Sequence, residues 1–378
     1  MEIIPRPKYF GRVKPFIKKN IIKVLVGQRR TGKSFFLKWL QKEVLSKDKK
    51  ANIIYLDKEL YKYDFIKTEK DLFKYLQKRI SNNYNYIFID EVQEINGFEK
   101  ILRDLINRKN VDIYITGSNA RIFSSDLATF LSGRYIEIKV NPLSYNEFLN
   151  FHNLKNNENS LTDYLKYGGM PYLRNLTLND DNVFPYLKSI YDTILLKDIV
   201  ARYKLRNVEF LIRLTFYLAE NTGNIISAKK ISDYLKSQRI NIPVNTIINY
   251  IGYLTNTFLI DRISRQEIEG KKVFEINEKF FFEDFGLRNS LIGFKPQDIS
   301  KILENAVYMH LIFLGYQIKV GVTAGKGIDF VASKNDKKVY IQACYLLADS
   351  IYLFTPVLKG IGKLSKPIKI HWLDKHYY

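Results

Sequence analysis

"VGQRRTGKSFF", residues 26–36, decides how the rest of the chain is read. Gly27 and Gly32 stand five positions apart with two arginines between them, and Lys33–Ser34 follow directly. The preceding "NIIKVLV" is short, apolar and rich in β-branched side chains, as a buried strand requires. The following "SFFLKWLQKEVL" sets Phe36, Leu37, Leu40, Val44 and Leu45 at helical spacing. The glycines therefore fall on a strand-to-helix turn. "GQRRTGKS" satisfies G-x-x-x-x-G-K-[ST], in which glycines let the backbone curl until successive N–H groups point at phosphate oxygens. The helix that follows turns its positive end to the anion. Gly27, Gln28, Arg29, Arg30, Thr31, Gly32, Lys33, Ser34 and Phe35 form the expected nucleotide-binding stretch, with Lys33 on the outer phosphates and Ser34 on a magnesium ion.

A phosphate cradle needs a second group for magnesium and for the attacking water. "YIFIDE" supplies both: an apolar strand that ends in Asp90, suited to hold magnesium, and Glu91, suited to orient water. The next strand ends "ITGSN", and polar residues at the carboxyl ends of parallel strands face the crevice. Ser118 and Asn119 are therefore expected beside the γ-phosphate. In "LSGRY", Arg134 is a candidate for stabilising charge during phosphoryl transfer, within one subunit or across two.

Strands and helices alternate from residue 20 to about 140. "IIKVLVG", "NIIYLD", "YIFIDE", "VDIYITGS" and "YIEIKV" are apolar runs divided by helix-compatible segments, which predicts an α/β fold with a parallel sheet. Residues 160–220 read as helical, interrupted at "YGGMPY". Two helices, a proline-containing turn and a β-hairpin follow, the order of a winged helix-turn-helix. The last 90 or so residues return to mixed character. Four segments are expected: a P-loop core at 1–160, a helical segment at 161–222, a winged helix at 223–285 and a C-terminal α/β domain at 286–378.

Bulk properties narrow the setting. The chain has 378 residues and one cysteine, which excludes an intramolecular disulfide and makes a zinc cluster an unsuitable expectation. It contains no run of 18 apolar residues, and "MEIIPRPKYFGRVKPF" has no signal-peptide core, so a cytoplasmic protein without membrane attachment is expected. Sixty Lys and Arg stand against 39 Asp and Glu, a net charge of +21, and such a balance invites a polyanion.

The run "GQRRTGKS", "FIDEVQEI", "ITGSNA", "LSGRYIEI", "NPLSYNEF" and "YGGMPYL" resembles a family of prokaryotic AAA+-like ATPases related to archaeal and STAND-type NTPases. The likeness spans nearly the whole chain, including "FFFEDFGLRN" and "GIDFVAS…YIQACYLL". It implies an ASCE-type P-loop core that uses ATP with magnesium, a helical lid, and a winged helix. It also implies that Gly169 and Pro171 lie near the adenine, and that "PRPKYFGR", with Arg6 and Tyr9, covers the base.

The tail resembles the PD-(D/E)xK restriction-endonuclease fold, with Glu304 on a helix and Asp329 and Gln342 on strands. Where that fold carries a carboxylate followed two positions later by lysine, this chain has Gln342–Ala343–Cys344. Glutamine is a poor ligand for a hard cation, and cysteine supplies no cationic charge, so a degenerate, non-cleaving domain is expected. Cys344 is expected as a small buried hydrophobe.

The second helix of the winged segment, "VNTIINYIGYLTNTF", contains no lysine or arginine, so packing is favoured over base reading. Lys229, Lys230, Lys236, Arg239, Lys271 and Lys272 remain candidates for backbone phosphates. Two outputs stay open for an ATP-driven switch: non-sequence-specific binding of DNA or RNA, or capture of a protein partner in regulation or defence. A homo-oligomer is compatible with either.

Overall fold

Five β-branched runs become five strands: β1 (Ile22–Val26), β2 (Asn52–Asp57), β3 (Asn85–Asp90), β4 (Val111–Gly117) and β5 (Tyr135–Lys139). All pair in parallel, in the order β2-β3-β4-β1-β5. β1, β3 and β4 are buried at every position, which explains why they read as continuous apolar runs without alternation. The molecule is a computed structural model that describes residues 3–120, 131, 133–267, 278–323, 326–335, 337–344 and 369–372.

The chain divides into two compact units, Met1–Asn141 with Asn256–Phe258, and Pro142–Thr255 with Leu259–Tyr378. In the first, helix α1 (Pro7–Val13) precedes the sheet, and α2 (Lys33–Lys47), α3 (Glu69–Gln77) and α4 (Phe98–Leu105) connect its strands. Helix α2 buries Phe36, Leu37, Leu40 and Val44, the stripe its sequence spacing predicts. A capping box between Thr68 and Asp71 fixes the start of α3. Phe258 returns to this unit and joins the core beside Val24, Ile89 and Ile115.

This unit ends at Asn141, not at residue 160. The reason is helix α5 (Tyr145–His152), whose Tyr145, Phe148 and Leu149 pack with Leu161, Tyr164 and Phe285 in the second unit. That unit continues with α6 (Glu158–Tyr167), α7 (Asp180–Thr193), which runs on in wider π-helical turns over Ile194–Ala201, and α8 (Val208–Glu220). The helical character expected over 160–220 is present.

Residues 223–285 hold β6 (Ile225–Ile226), α9 (Ala228–Ser237), α10 (Val244–Asn256), β7 (Ile260–Glu267) and β8 (Glu278–Phe282). Strands β7 and β8 pair antiparallel. After α11 (Phe285–Ile292) and α12 (Ile299–Leu314) come β9 (Gln317–Thr323), β10 (Lys326–Lys334), β11 (Lys337–Cys344) and β12 (Lys369–Trp372). β7 pairs parallel with β9, so one sheet of order β12-β11-β10-β9-β7-β8-β6 runs through both segments. The expected boundary at 285 has no counterpart in that sheet. Lys271, Lys272 and the side chain of Cys344 lie outside the described residues.

Candidate active site

The turn after β1 is held by sterics. Gly27 has φ +144°, and a Cβ there would come 2.3 Å from the Val140 carbonyl oxygen, so only glycine fits. Arg30 (φ +70°) and Gly32 (φ +94°) also take left-handed conformations, which curl the loop before α2 starts at Lys33. The Thr31 hydroxyl closes the curl on the Gln28 carbonyl at 2.9 Å.

Lys33 is buried, and its Nζ donates to the Gly27 and Gln28 carbonyls, both at 2.9 Å. Gln28 is wholly buried, with neither amide atom hydrogen-bonded. An orphaned buried polar group costs roughly 1–3 kcal/mol, which a polar ligand in the loop would relieve. Arg29 is buried and bonds Glu59 at 3.1 Å. Arg30 and Phe35 are exposed and Ser34 is half-buried.

The acidic strand end faces this loop. Asp90 is 1% exposed and accepts a hydrogen bond from the Thr116 hydroxyl. Burial, more than the neighbouring Glu91 and Asp57 charges, pushes its pKa up to about 6. Glu91 adopts φ +52°, its N–H donates to the Thr116 hydroxyl at 2.9 Å, and its carboxylate accepts from Gln93 and, at 3.2 Å, from Ser118. Burial alone would raise the Glu91 pKa. The Lys33 and Arg29 charges, with those hydrogen bonds, outweigh it and hold the group below the usual range.

β4 lies between β1 and β3, which sets Thr116 beside both Leu25 and the Asp90–Glu91 corner. Ser118 and Asn119 follow, both buried. Two residues escaped the sequence: Thr116, one small hydroxyl in a strand, and Asp57, register partner of Asp90. A carboxylate ending a strand resembles any acidic turn, and only the β2–β3 register gives Asp57 its meaning.

Arg6 lies on the loop itself. Its guanidinium is buried and donates to the carbonyls of Thr31 (3.1 Å) and Asn141 (3.0 Å). Tyr9 is buried against Phe36, and its hydroxyl accepts the Asn141 N–H at 3.1 Å. Both residues therefore contact the protein's own framework.

Arg134 stands apart. Its carbonyl accepts the Ile22 N–H at 3.0 Å, and its exposed side chain donates to Asn107 at 2.8 Å. Ile22 begins β1 and the loop follows its end, five residues or about 16 Å on. The geometry does not bring Arg134 to Lys33 of its own chain. Gly169 and Pro171 belong to the second unit. There the Gly169 N–H donates to Asp284 at 2.7 Å, and a Cβ would come 2.4 Å from the Leu143 carbonyl oxygen, so close packing accounts for the glycine.

The family profile described as "AAA domain" matches residues 19–149, and a "domain of unknown function (DUF8612)" matches 158–298. An uncharacterized protein of Haemophilus influenzae is 35% identical over 361 residues, covering 93% of this chain and 89% of that protein. An uncharacterized protein of Methanocaldococcus jannaschii is 29% identical, covering 93% and 80%. Among solved structures, the Walker-type ATPase of Pyrococcus abyssi matches 77% of this chain and 96% of its own with TM-score 0.53 and 18% identity, a likeness of fold. Residues 19–149 match an AAA domain, and the chain belongs to the same family as the Haemophilus protein. Among the described residues no helix is long and apolar enough to cross a membrane.

Proposed function

We propose that the first unit binds ATP with magnesium and hydrolyses it. The observation that carries this reading is that Lys33 and Arg29, on the phosphate loop, lie close enough to Glu91, on the acidic strand, for their charges to hold its buried carboxylate below the usual range. It joins the two halves that phosphoryl transfer needs. Magnesium, when bound, would offset the charge of the phosphates. The chain's own part is positional. Lys33 carries a fixed charge on the loop, Ser34 and Asp90 hold the cation, and Glu91, ionised and fixed by Gln93 and Ser118, orients water. Asn119 completes the polar edge of β4. Arg134, which precedes β5 at the strand end opposite the phosphate loop, is suited to serve a second copy of the chain.

Two variants separate these roles. Lys33→Ala should lose nucleotide binding itself, measured with a fluorescent ATP analogue. Glu91→Gln should bind as the wild type does but hydrolyse about 100-fold more slowly or worse. Wild-type turnover by Glu91→Gln would remove its assigned role.

We further propose that hydrolysis is coupled to nucleic acid through backbone contacts, a reading supported by the net charge of +21 and by exposed Lys229, Lys230, Lys236 and Arg239 on and after α9. Here α9, α10 and the β7–β8 hairpin act as a winged helix, with α10 in a packing role: Ile247, Tyr250, Ile251 and Leu254 are buried.

A further inference from the structure

The resemblance of the tail to a nuclease implies a divalent cation between Glu304 and Asp329. The residues present do not fit one. Lys279, on β8, is buried between the two carboxylates: its Nζ lies 2.7 Å from Glu304 Oε1 and 3.1 Å from Asp329 Oδ1. The second oxygen of Asp329 is engaged too, accepting the Ala343 N–H at 3.0 Å. Gln342, at the position where a carboxylate ligand is expected, turns its side-chain oxygen to the Asp329 N–H at 3.3 Å. Glu304 Oε2 packs on Gly223, where a Cβ would come 2.9 Å away.

We propose that Lys279 is the resident cation of this site: its ammonium takes the seat of a divalent metal, satisfies both carboxylates from within, and leaves a latent metal site that a single substitution unmasks. Two carboxylates face one ammonium, which lies within hydrogen-bond reach of both. A lysine donates hydrogen bonds and supplies no acceptor, so its head stands in for a metal ion and not for a metal ligand. Lys279 is buried with both carboxylates around its Nζ, the arrangement a buried cation needs. The lysine absent from the Gln342–Ala343–Cys344 triplet is thus supplied by a different strand, in a different role.

Lys279 reads in sequence as one polar residue in "NEKFFFED", and only the β8–β7–β9–β10 sheet brings it to Asp329. The match to a domain of unknown function takes in Lys279 and ends at residue 298, short of Glu304 and Asp329.

The test titrates Mn2+ into the nucleotide-free, full-length chain and reads bound metal by electron paramagnetic resonance. Wild type and Asp329→Asn should bind alike, because the cluster contributes nothing. Lys279→Met should gain one further equivalent, held about tenfold or more tighter than any background site, and Lys279→Met/Asp329→Asn should lose it. Wild-type uptake that disappears in Asp329→Asn would overturn the proposal, since the cluster would then hold metal beside its lysine. A folded Lys279→Met without the extra equivalent would overturn it equally. If Lys279→Met does not fold alone, Mn2+ in the refolding buffer should restore its near-UV circular dichroism, and failure to do so counts against the metal seat. The intact protein should not nick supercoiled DNA with Mg2+ or Mn2+.

Discussion

Asp57 and Asp90 stand as register partners at the ends of β2 and β3, and the Tyr55 hydroxyl reaches both, at 3.3 and 3.4 Å. Two buried carboxylates side by side repel, and their repulsion adds to the burial that raises Asp90 to about 6. A cation delivered with nucleotide would relieve what the empty-handed protein must tolerate.

The first prediction uses that tension. The Asp90 pKa rises on folding, from 3.8 to about 6, so the folded chain binds more protons than the unfolded one between those values. Its contribution to stability is therefore most favourable below pH 4 and is lost as pH rises through 6. Asp90→Asn should stabilise the nucleotide-free protein at pH 7.5 by roughly 1–3 kcal/mol in urea denaturation, while abolishing magnesium-dependent ATP turnover. A destabilised variant would mean that the carboxylate is structural.

Arg6 gives the second. Its guanidinium ties the Thr31 and Asn141 carbonyls together from a buried position. Arg6→Ala leaves two carbonyls short of a charged donor and should cost about 2–3 kcal/mol. ATP affinity should fall with it, because the loop loses its outer brace. Unchanged affinity in a destabilised protein would restrict Arg6 to packing.

Lys23 and Asp112 form a wholly buried ion pair on β1 and β4. Asp112 also accepts from Tyr114 (2.9 Å) and the Lys18 N–H (2.8 Å). Lys23→Met strands that carboxylate without its cation and should destabilise by about 3–5 kcal/mol. A loss below about 1 kcal/mol would show that the remaining donors suffice.

If nucleic acid is the partner, affinity for two unrelated duplexes should be similar and should fall steeply from about 50 to 200 mM salt, followed by fluorescence anisotropy. Absence of binding at the low end would transfer the output to a protein partner.

Much of the first unit was legible because its signals are local. β-branched runs and a glycine-lysine turn announce strands and a phosphate loop without tertiary help. The end of that unit was harder: Tyr145, Phe148 and Leu149 give α5 an apolar face, and a sequence does not say which core receives it. Asp57, Thr116 and Lys279 were illegible for one shared reason. Each is an ordinary residue in a strand, and its partners Asp90, Glu91, Glu304 and Asp329 arrive only through sheet register. Arg134 shows the converse, an arginine whose place in the motif order suggested proximity that the strand direction denies.

The peptide that leaves the first unit is stitched to the phosphate loop. Val140 gives its carbonyl to the surface that Gly27 needs bare, Asn141 accepts from the same guanidinium that holds Thr31, and its N–H is taken by Tyr9. Loop and exit share one set of fasteners, so neither shifts by an ångström without tugging the other. Two side chains from α1 and the residue before it, Arg6 and Tyr9, thus fix the position of the loop and the path of the backbone at Asn141 together.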